Sequence, residues 1–399
     1  MKKNFIPAAA VKVWLLVLLP LATASCEKVQ VSEPEEPSPV SLEEIAGIFS
    51  HLQLTVEHLQ EVHSAVSSSL DHGYDEEYTM ACLFNSPGSG VGSSASETKS
   101  SAFSWSSPLR DLLTEYLKEN CPTRADGGMA SMSADEYIAA LAASDAQIYW
   151  PYSEEWDGSS YPVITFHPGT DIPSNIGYQM SENGKVKQVV VNEEKAMNGN
   201  VWVINRNEDS GHMTLEMLRR QDPEWGSGGE IVIRTKAAAP ASKSRTLILK
   251  SFEARRNYDC WFAGASEFFV KCGAVEDFQA STEAEMRLYS PAVTDFMVVV
   301  KRRQVGTPIP FNAVLVSEFT DQLDRFAFLI TEDDGGTRTS WKTSAVVKIQ
   351  SKSYGFDIDL PFNSRDDIVW RGMLSRSYLE KNNGEEGHFG DVYLTFAFE

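Results

Sequence analysis

Short runs of alternating apolar and polar residues recur through residues 245–399, and they constrain the fold more than any other feature of the chain. Such alternation is typical of half-buried antiparallel strands. The runs are closely and regularly spaced, and little helical pattern separates them, which predicts a β-sandwich. The predicted strands are Leu247–Ala254, Phe268–Cys272, Met286–Tyr289, Phe296–Arg302, Ala313–Phe319, Phe326–Thr331, Ala345–Ser351, Tyr354–Leu360 and Val392–Phe398.

Helical periodicity dominates the region before residue 146. Ser41 begins a capping-box pattern, and apolar residues then recur at helical spacing, which predicts one helix from Leu42 to Leu70. Shorter helical patterns follow at Leu109–Glu119 and after Ser133. Between them, the Gly/Ser-rich segment Asn85–Pro108 predicts a long loop.

The period changes near residue 146, where short strand-like runs alternate with Gly, Asn and Pro. These middle strands are predicted at Val163–Phe166, Val186–Asn192, Val201–Asn205 and Glu230–Thr235. We therefore expect an α+β protein, because helical and strand-forming segments are segregated along the chain. Its expected parts are an N-terminal helical region with the Gly/Ser-rich loop (43–145), a small β-rich domain (146–240) and an antiparallel β-sandwich (241–399).

The first 25 residues have the three-part build of an export signal. Lys2 and Lys3 precede an apolar run, and the small residues Ala22–Ser25 come directly before Cys26. The apolar run is shorter than the roughly 20 residues that a membrane-spanning helix needs. Residues 26–42 are acidic and rich in proline, so we expect them to form an extended tether.

The residues around Cys26 resemble the lipobox of exported bacterial lipoproteins of the Bacteroidota type. Ala24 and Ser25 fit that motif, while Thr23 stands where an aliphatic residue is usual. The resemblance implies that residues 1–25 are removed and that acylated Cys26 holds the chain to a lipid bilayer, at the outer membrane or cell surface. Two or three acyl chains would anchor it firmly, since each buried methylene contributes about 0.8 kcal/mol. The alternative is a plain secretory signal, with Cys26 either a free thiol or paired in a disulfide.

Charge excludes one class of partner. The 399-residue chain has 56 acidic residues against 35 Lys and Arg, a formal net charge of −21. Binding of a phosphate backbone requires clustered Lys and Arg. Nucleic acid is therefore not an expected partner.

Four further cysteines follow Cys26: Cys82, Cys121, Cys260 and Cys272. The pairing of nearest neighbours in sequence joins Cys82 to Cys121 and Cys260 to Cys272, but four cysteines allow three connectivities and buried thiols are an equal alternative. No CxxC pattern or Cys/His cluster indicates a zinc site.

The segment from Ile148 to Gly158 is the most suggestive binding sequence. Aromatic faces can stack on sugar rings while carboxylates accept hydrogen bonds from hydroxyl groups, so a glycan or peptide site is one interpretation. The other is that the aromatic residues fill the core beside a turn. The candidate ligand-binding residues are Tyr149, Trp150, Tyr152, Glu154, Glu155, Trp156 and Asp157.

Two resemblances to calcium-binding loops suggest a structural calcium ion as the only expected cofactor. Residues 205–216 resemble an EF-hand loop, with oxygen-bearing side chains at alternate positions, although the glycine comes one place late. Segments near residues 259 and 333 resemble the ends of C2-like sandwiches, where aspartates bind calcium. In each case a solvated polar turn is the alternative. The candidate ligands are Asn205, Asn207, Asp209, Glu216, Asp259, Asp333 and Asp334.

No sequence motif identifies an enzyme. The chain contains no HExxH, G-x-S-x-G or phosphate-loop pattern. We therefore expect a lipoprotein that acts as a binding or structural module, facing the cell surface or the periplasm, with an extracellular glycan or protein as partner. The alternative is an extracellular hydrolase of glycans or peptides that uses the carboxylates around Glu154–Asp157.

Overall fold

The computed structural model describes residues 40–85, 107–120, 132–170, 172–181, 183–207, 214 and 244–399. Within these ranges the helices are α1 Leu42–His51, α2 Val56–Asp71, α3 Met80–Phe84, α4 Pro108–Asn120, α5 Ala134–Ala142, α6 Glu193–Met197, α7 Glu283–Met286 and α8 Arg376–Lys381. The export signal, Cys26, most of the tether and of the Gly/Ser-rich loop, Cys121 and the strand predicted at Glu230–Thr235 lie outside the described residues.

The strands follow in chain order, and the α+β class predicted from sequence is confirmed. They are β1 Glu77–Thr79, β2 Ala146–Tyr149, β3 Val163–Phe166, β4 Ser174–Met180, β5 Val186–Asn192, β6 Val201–Arg206, β7 Arg245–Ala254, β8 Ser266–Ala274, β9 Ala292–Val300, β10 Ile309–Phe319, β11 Leu323–Glu332, β12 Arg338–Ile349, β13 Lys352–Asn363, β14 Asp367–Ser375, β15 Glu386–Phe389 and β16 Val392–Phe398.

The helix predicted from Leu42 to Leu70 is interrupted and forms α1 and α2. Leu52 ends α1 with an extended backbone, and a second start signal follows at once. The backbone N–H of Thr55 donates to Nδ1 of His58 at 2.8 Å, which caps the first turn of α2. The apolar spacing continues across the break, so periodicity alone does not reveal it. The N-cap residue Thr55 sets the start of α2.

The N-terminal sheet has the strand order β1-β2-β6-β3-β4-β5, with β3 and β6 parallel and the other neighbours antiparallel. Its central strand β6 is buried on both faces. Trp202 and Ile204 pack beneath the N-terminal helices, whereas Val201 and Val203 point to the opposite face. This explains the unbroken apolar run in β6, because a strand covered on both sides has no polar face.

Two antiparallel sheets form the C-terminal part, as the sequence predicts. One has the order β10-β7-β16-β15, and the other has the order β13-β12-β11-β8-β9 with β14 also paired to β11. Apolar residues of both sheets share one buried core, as in a β-sandwich. Strand β11 pairs with β8 and β14 over the same residues, Ala327 to Glu332, so it is the centre of its sheet.

Two details of the predicted strand pattern differ. The strand predicted at Met286–Tyr289 is wrong, because Thr282 caps the short helix α7 by accepting from the N–H of Glu285 at 3.2 Å. Strands β1, β2, β4, β14 and β15 are present although the sequence pattern predicts no strand at those positions. Cys260 and Cys272 are not joined by a disulfide, and Cys272 is buried in the sandwich core.

The loop between β7 and β8 joins the sandwich to the N-terminal sheet. Trp261 and Phe262 of this loop pack against Tyr149, Val201 and Val203, on the sheet face that the helices leave uncovered. Among the described residues, no helix is long and apolar enough to cross a membrane.

Replacing Phe262 by Ala tests the importance of this contact. Phe262 is fully buried, so the substitution leaves a cavity, and we expect a loss of about 3–5 kcal/mol in the free energy of unfolding. Urea unfolding measures it. Tyr161→Ala is the matched control, because Tyr161 is 52 % exposed and its loss should cost less than about 0.5 kcal/mol. Equal effects of the two substitutions would show that the contact between the β7–β8 loop and the N-terminal sheet contributes little to the free energy of unfolding.

Candidate functional site

The structure uses two of the candidate ligand-binding aromatic residues as core. Tyr149 and Trp150 are each only 1 % exposed. The ring of Trp150 contacts Trp156 and Trp202, with ring centres 5.3 and 5.6 Å apart. Stacking on a sugar requires an exposed ring face, so neither Tyr149 nor Trp150 can provide it. The core-filling interpretation fits these two positions.

The remaining aromatic candidates stabilise the turn after β2. Tyr152 has a left-handed backbone, and its hydroxyl donates to Glu193 at 3.2 Å. The indole N–H of Trp156 donates to the carbonyl of Ser160 at 3.0 Å. Asp157 accepts from the backbone N–H groups of residues 159 and 160 at 2.8 and 2.7 Å. These hydrogen bonds give Tyr152, Trp156 and Asp157 a structural role that requires no ligand.

The two glutamates of this segment face a basic residue. Glu154 forms an ion pair with Arg303, and the exposed Glu155 lies 4.0 Å from the same guanidinium. A glycosidase needs two carboxylates about 5–9.5 Å apart across a substrate cleft. Glu154 is instead paired with Arg303, so its nearest partner is a guanidinium and not a second carboxylate across a cleft.

The EF-hand-like segment is only partly described. The side-chain amide of Asn205 donates to the carbonyl of Ala263. That of Asn207 donates to Glu77 at 2.8 Å and to Gln147 at 2.9 Å. Both amides therefore connect neighbouring elements. Asp209 and Glu216 lie outside the described residues, so this arrangement as a calcium loop stays a prediction.

The three aspartates assigned from the C2-like resemblance are distributed between two places. Asp333 accepts from the N–H of Gly335 at 2.9 Å and from Asn363 at 3.1 Å, so it shapes the turn after β11. Asp259 lies instead among other acids, and the charge of Asp334 acts on it from nearby.

Asp259, Glu267 and Glu332 form what we call the inner carboxylate cluster. One carboxylate oxygen from each of the three lies within 4.8 Å of the others. Glu332 ends β11, Glu267 is the second residue of β8, and Asp259 lies in the β7–β8 loop. The ladder between β8 and β11 brings the two glutamates together, because the N–H of Asp333 donates to the carbonyl of Glu267 at 3.0 Å.

Several hydrogen bonds hold Asp259 against this strand pair. The hydroxyl of Ser266 donates to Asn257 at 2.7 Å and accepts from the N–H of Tyr258 at 2.8 Å. On the other side, Arg302 donates to the backbone carbonyl of Asp259 at 3.1 Å. The loop is therefore fixed immediately before and at the acidic residue.

Burial dominates the electrostatics of the cluster. Glu332 is fully buried, and desolvation, its contact with Asp259 and nearby acidic charges raise its pKa to about 11. Desolvation also raises the pKa of Asp259 to about 6, although Arg302 opposes the shift. Neither oxygen of Glu332 nor Oδ2 of Asp259 receives a hydrogen bond from a protein donor. Such groups are costly to bury.

A second pair of acids, Asp75 and Glu76, lies where the N-terminal part meets the β7–β8 loop. Asp75 accepts from the N–H of Ala265 at 2.9 Å. Its approach depends on Gly264, which has φ +145° and whose added Cβ would lie 2.9 Å from the carboxylate. Glu76 accepts from the N–H groups of Tyr152 and Ser153 at 3.3 and 3.2 Å. Burial and the neighbouring Asp75 raise the pKa of Glu76 to about 7.

A narrow crevice connects the two acidic groups. Its free volume is about 20 Å³, which is room for about one water molecule. It could admit a small ion but no sugar or peptide. The lining residues are Asp75, Glu77, Gln147, Arg206, Asp259, Ala263, Ala265 and Glu267. A larger surface depression of about 450 Å³ is lined by one face of α4 alone.

The chain matches no known protein-family model, no curated protein and no solved structure. Any functional assignment therefore has to rest on the chemistry and geometry of the residues alone. The sequence reveals Asp259 as a candidate, but Glu267 and Glu332 resemble ordinary residues at strand ends. Only the acidic run from Glu332 to Asp334 signals unusual charge there.

The raised pKa of Glu76 predicts that stability falls as the pH rises. The folded state keeps this proton up to about pH 7, whereas the unfolded residue loses it near pH 4.5. The contribution is complete below about pH 4.5 and is lost through pH 7, with a maximum of about 3 kcal/mol. Urea unfolding of the wild type and Glu76→Gln between pH 5 and 8 measures it.

We expect the pH slope to be shallower in Glu76→Gln than in the wild type. Glu155→Gln is the control, since that side chain is 73 % exposed and should leave the slope unchanged. A Glu76→Gln slope equal to that of the wild type would contradict the assignment.

Proposed function

We propose that this protein is an exported lipoprotein, anchored to a bilayer through acylated Cys26, that acts as a binding or structural module. The lipobox-like sequence supports the anchor, and the acidic, proline-rich tether would separate the folded part from the membrane. The folded part would face the cell surface or the periplasm.

One observation carries the non-catalytic assignment: the residues most suited to catalysis are already engaged in structure. Tyr149 and Trp150 lie in the core, and Glu154 is paired with Arg303. The inner carboxylate cluster adjoins a space for only about one water molecule. A hydrolase needs carboxylates that converge on an organic substrate, and these groups do not fit that requirement.

The partner we propose is an extracellular glycan or protein. A strongly acidic surface disfavours nucleic acid. Exposed edges and loops of a sandwich are common places for binding residues, because a rigid scaffold positions them. The competing proposal is a hydrolase of glycans or peptides, which differs because it would release a shortened product.

Metabolic labelling with an alkynyl fatty acid tests the anchor. In a Gram-negative host that processes lipoproteins, we expect the wild type to take up the label and sediment with membranes. Cys26→Ser should abolish both, because it removes the acylation site. Cys82→Ser is the matched control, since Cys82 is an exposed thiol in the folded part and its loss should leave labelling intact. Label retained in Cys26→Ser would overturn the anchor.

Glycan and peptide arrays followed by product analysis separate the two proposed activities. A binding module should retain a ligand on the array and release no shortened product after long incubation. A triple variant, Glu154→Gln with Glu155→Gln and Asp157→Asn, should leave binding unchanged. Products that the wild type releases and the triple variant does not would establish the hydrolase instead.

A further inference from the structure

The inner carboxylate cluster brings together acidic oxygens from three residues, and two of these residues, Asp259 and Glu332, have buried oxygens without a protein donor. Both oxygens of Glu332 and Oδ2 of Asp259 are buried and accept no hydrogen bond from a protein donor. Glu332 is fully buried, and one of its oxygens lies within 4.8 Å of oxygens from Asp259 and Glu267. Carboxylates so arranged repel one another unless something positive lies between them.

Two kinds of positive species could satisfy this geometry. A proton shared between Asp259 and Glu332 would supply one hydrogen bond and would leave the other oxygen of Glu332 without a donor. A metal ion would satisfy one oxygen from each of the three residues at once. Calcium can also bind both oxygens of one carboxylate, so an ion could satisfy both oxygens of Glu332 where a single proton satisfies only one.

The donor set selects the class of metal. All three ligands are carboxylate oxygens, with no His or Cys in the cluster, and such sets suit hard cations such as calcium or magnesium. Two oxygens on opposite sides of one calcium ion are about 5 Å apart, so the observed spacing allows all three to bind one ion. Magnesium usually retains several waters, whereas the adjoining crevice has room for about one.

We propose that Asp259, Glu267 and Glu332 bind one calcium ion. This proposal goes beyond the lipid anchor and the partner proposed above, and its ligands differ from both calcium sites expected from the sequence, with which it shares only Asp259. Calcium takes six to eight oxygens, so backbone carbonyls or water would have to supply the others.

The ion would connect the β7–β8 loop to the ends of two strands. Asp259 belongs to the loop that also carries Trp261 and Phe262, which pack on the N-terminal sheet. Glu267 and Glu332 belong to β8 and β11 of the sandwich. Calcium at this position therefore fixes the loop that joins the two parts, and its removal should lower the stability of that joint first.

Calorimetric titration and thermal unfolding of the purified full-length protein test the proposal. We expect one calcium ion per chain with a Kd on the order of 10⁻⁴ M, as in extracellular modules. In 5 mM calcium the Tm should rise by roughly 3–5 °C over the value in chelator, because a ligand bound only by the native state stabilises it. Magnesium at the same concentration should have a smaller effect.

Glu332→Gln and Asp259→Asn should each abolish calcium binding and the rise in Tm. In chelator, Glu332→Gln should be about as stable as the wild type, because the neutral amide has a similar shape and can still donate a hydrogen bond to Asp259. Glu386→Gln is the control: Glu386 is an exposed residue of β15, and its variant should respond as the wild type does.

Three outcomes would overturn the proposal: no heat of binding with calcium, an unchanged Tm in the wild type, or a full calcium response in both variants. An equal response to magnesium would overturn the assignment to calcium. If Glu332→Gln does not fold, Asp259→Asn and the wild-type titration still decide the matter. None of these outcomes depends on acylation at Cys26, so the anchor and the ion are tested separately.

Discussion

Strand β11 is the element on which the rest of the structure depends. It pairs with β8 on one side and β14 on the other, and its residues Phe326–Ile330 are fully buried in the sandwich core. A strand enclosed on both edges and within the core has no freedom to shift register without exposing its apolar side chains. Its last residue, Glu332, is carried into the interior by that register. The acidic cluster is thus a consequence of strand pairing.

The sequence pattern predicts the class of the fold well and its three-dimensional assembly poorly. Alternation identifies β16, whose buried and half-buried residues alternate, whereas the apolar runs of β8 and of Val163–Phe166 are recognised because nearly every residue in them is buried. The break between α1 and α2 escapes because apolar spacing continues through it. Strand β14 escapes because only two of its nine residues are buried, so its sequence carries no sustained apolar pattern, and its pairing with β11 follows from long-range contacts that a local pattern does not contain.

The candidate site shows the same division. Asp259 attracts notice from its sequence neighbourhood, yet the residues beside it in space come from two strand ends that no spacing rule connects. Conversely, Tyr149 and Trp150 belong to a segment whose composition is typical of a ligand site, yet both are core residues. Residue type limits the chemistry available, whereas burial decides whether that chemistry can meet a ligand. Burial depends on long-range packing. The sequence could therefore identify the candidate acids and aromatic residues, but it could not show which of them are core residues and which could meet a ligand.

The loop from β7 to β8 has a consequence for how the polypeptide can be subdivided. Its Trp261 and Phe262 cover the face of the N-terminal sheet formed by Tyr149, Val201 and Val203. A fragment that stops before residue 244 would leave that apolar face open to water, and exposed apolar patches promote aggregation. The helical half is therefore a dependent partner of the sandwich, and a recombinant fragment that keeps this loop should remain soluble where a shorter one precipitates.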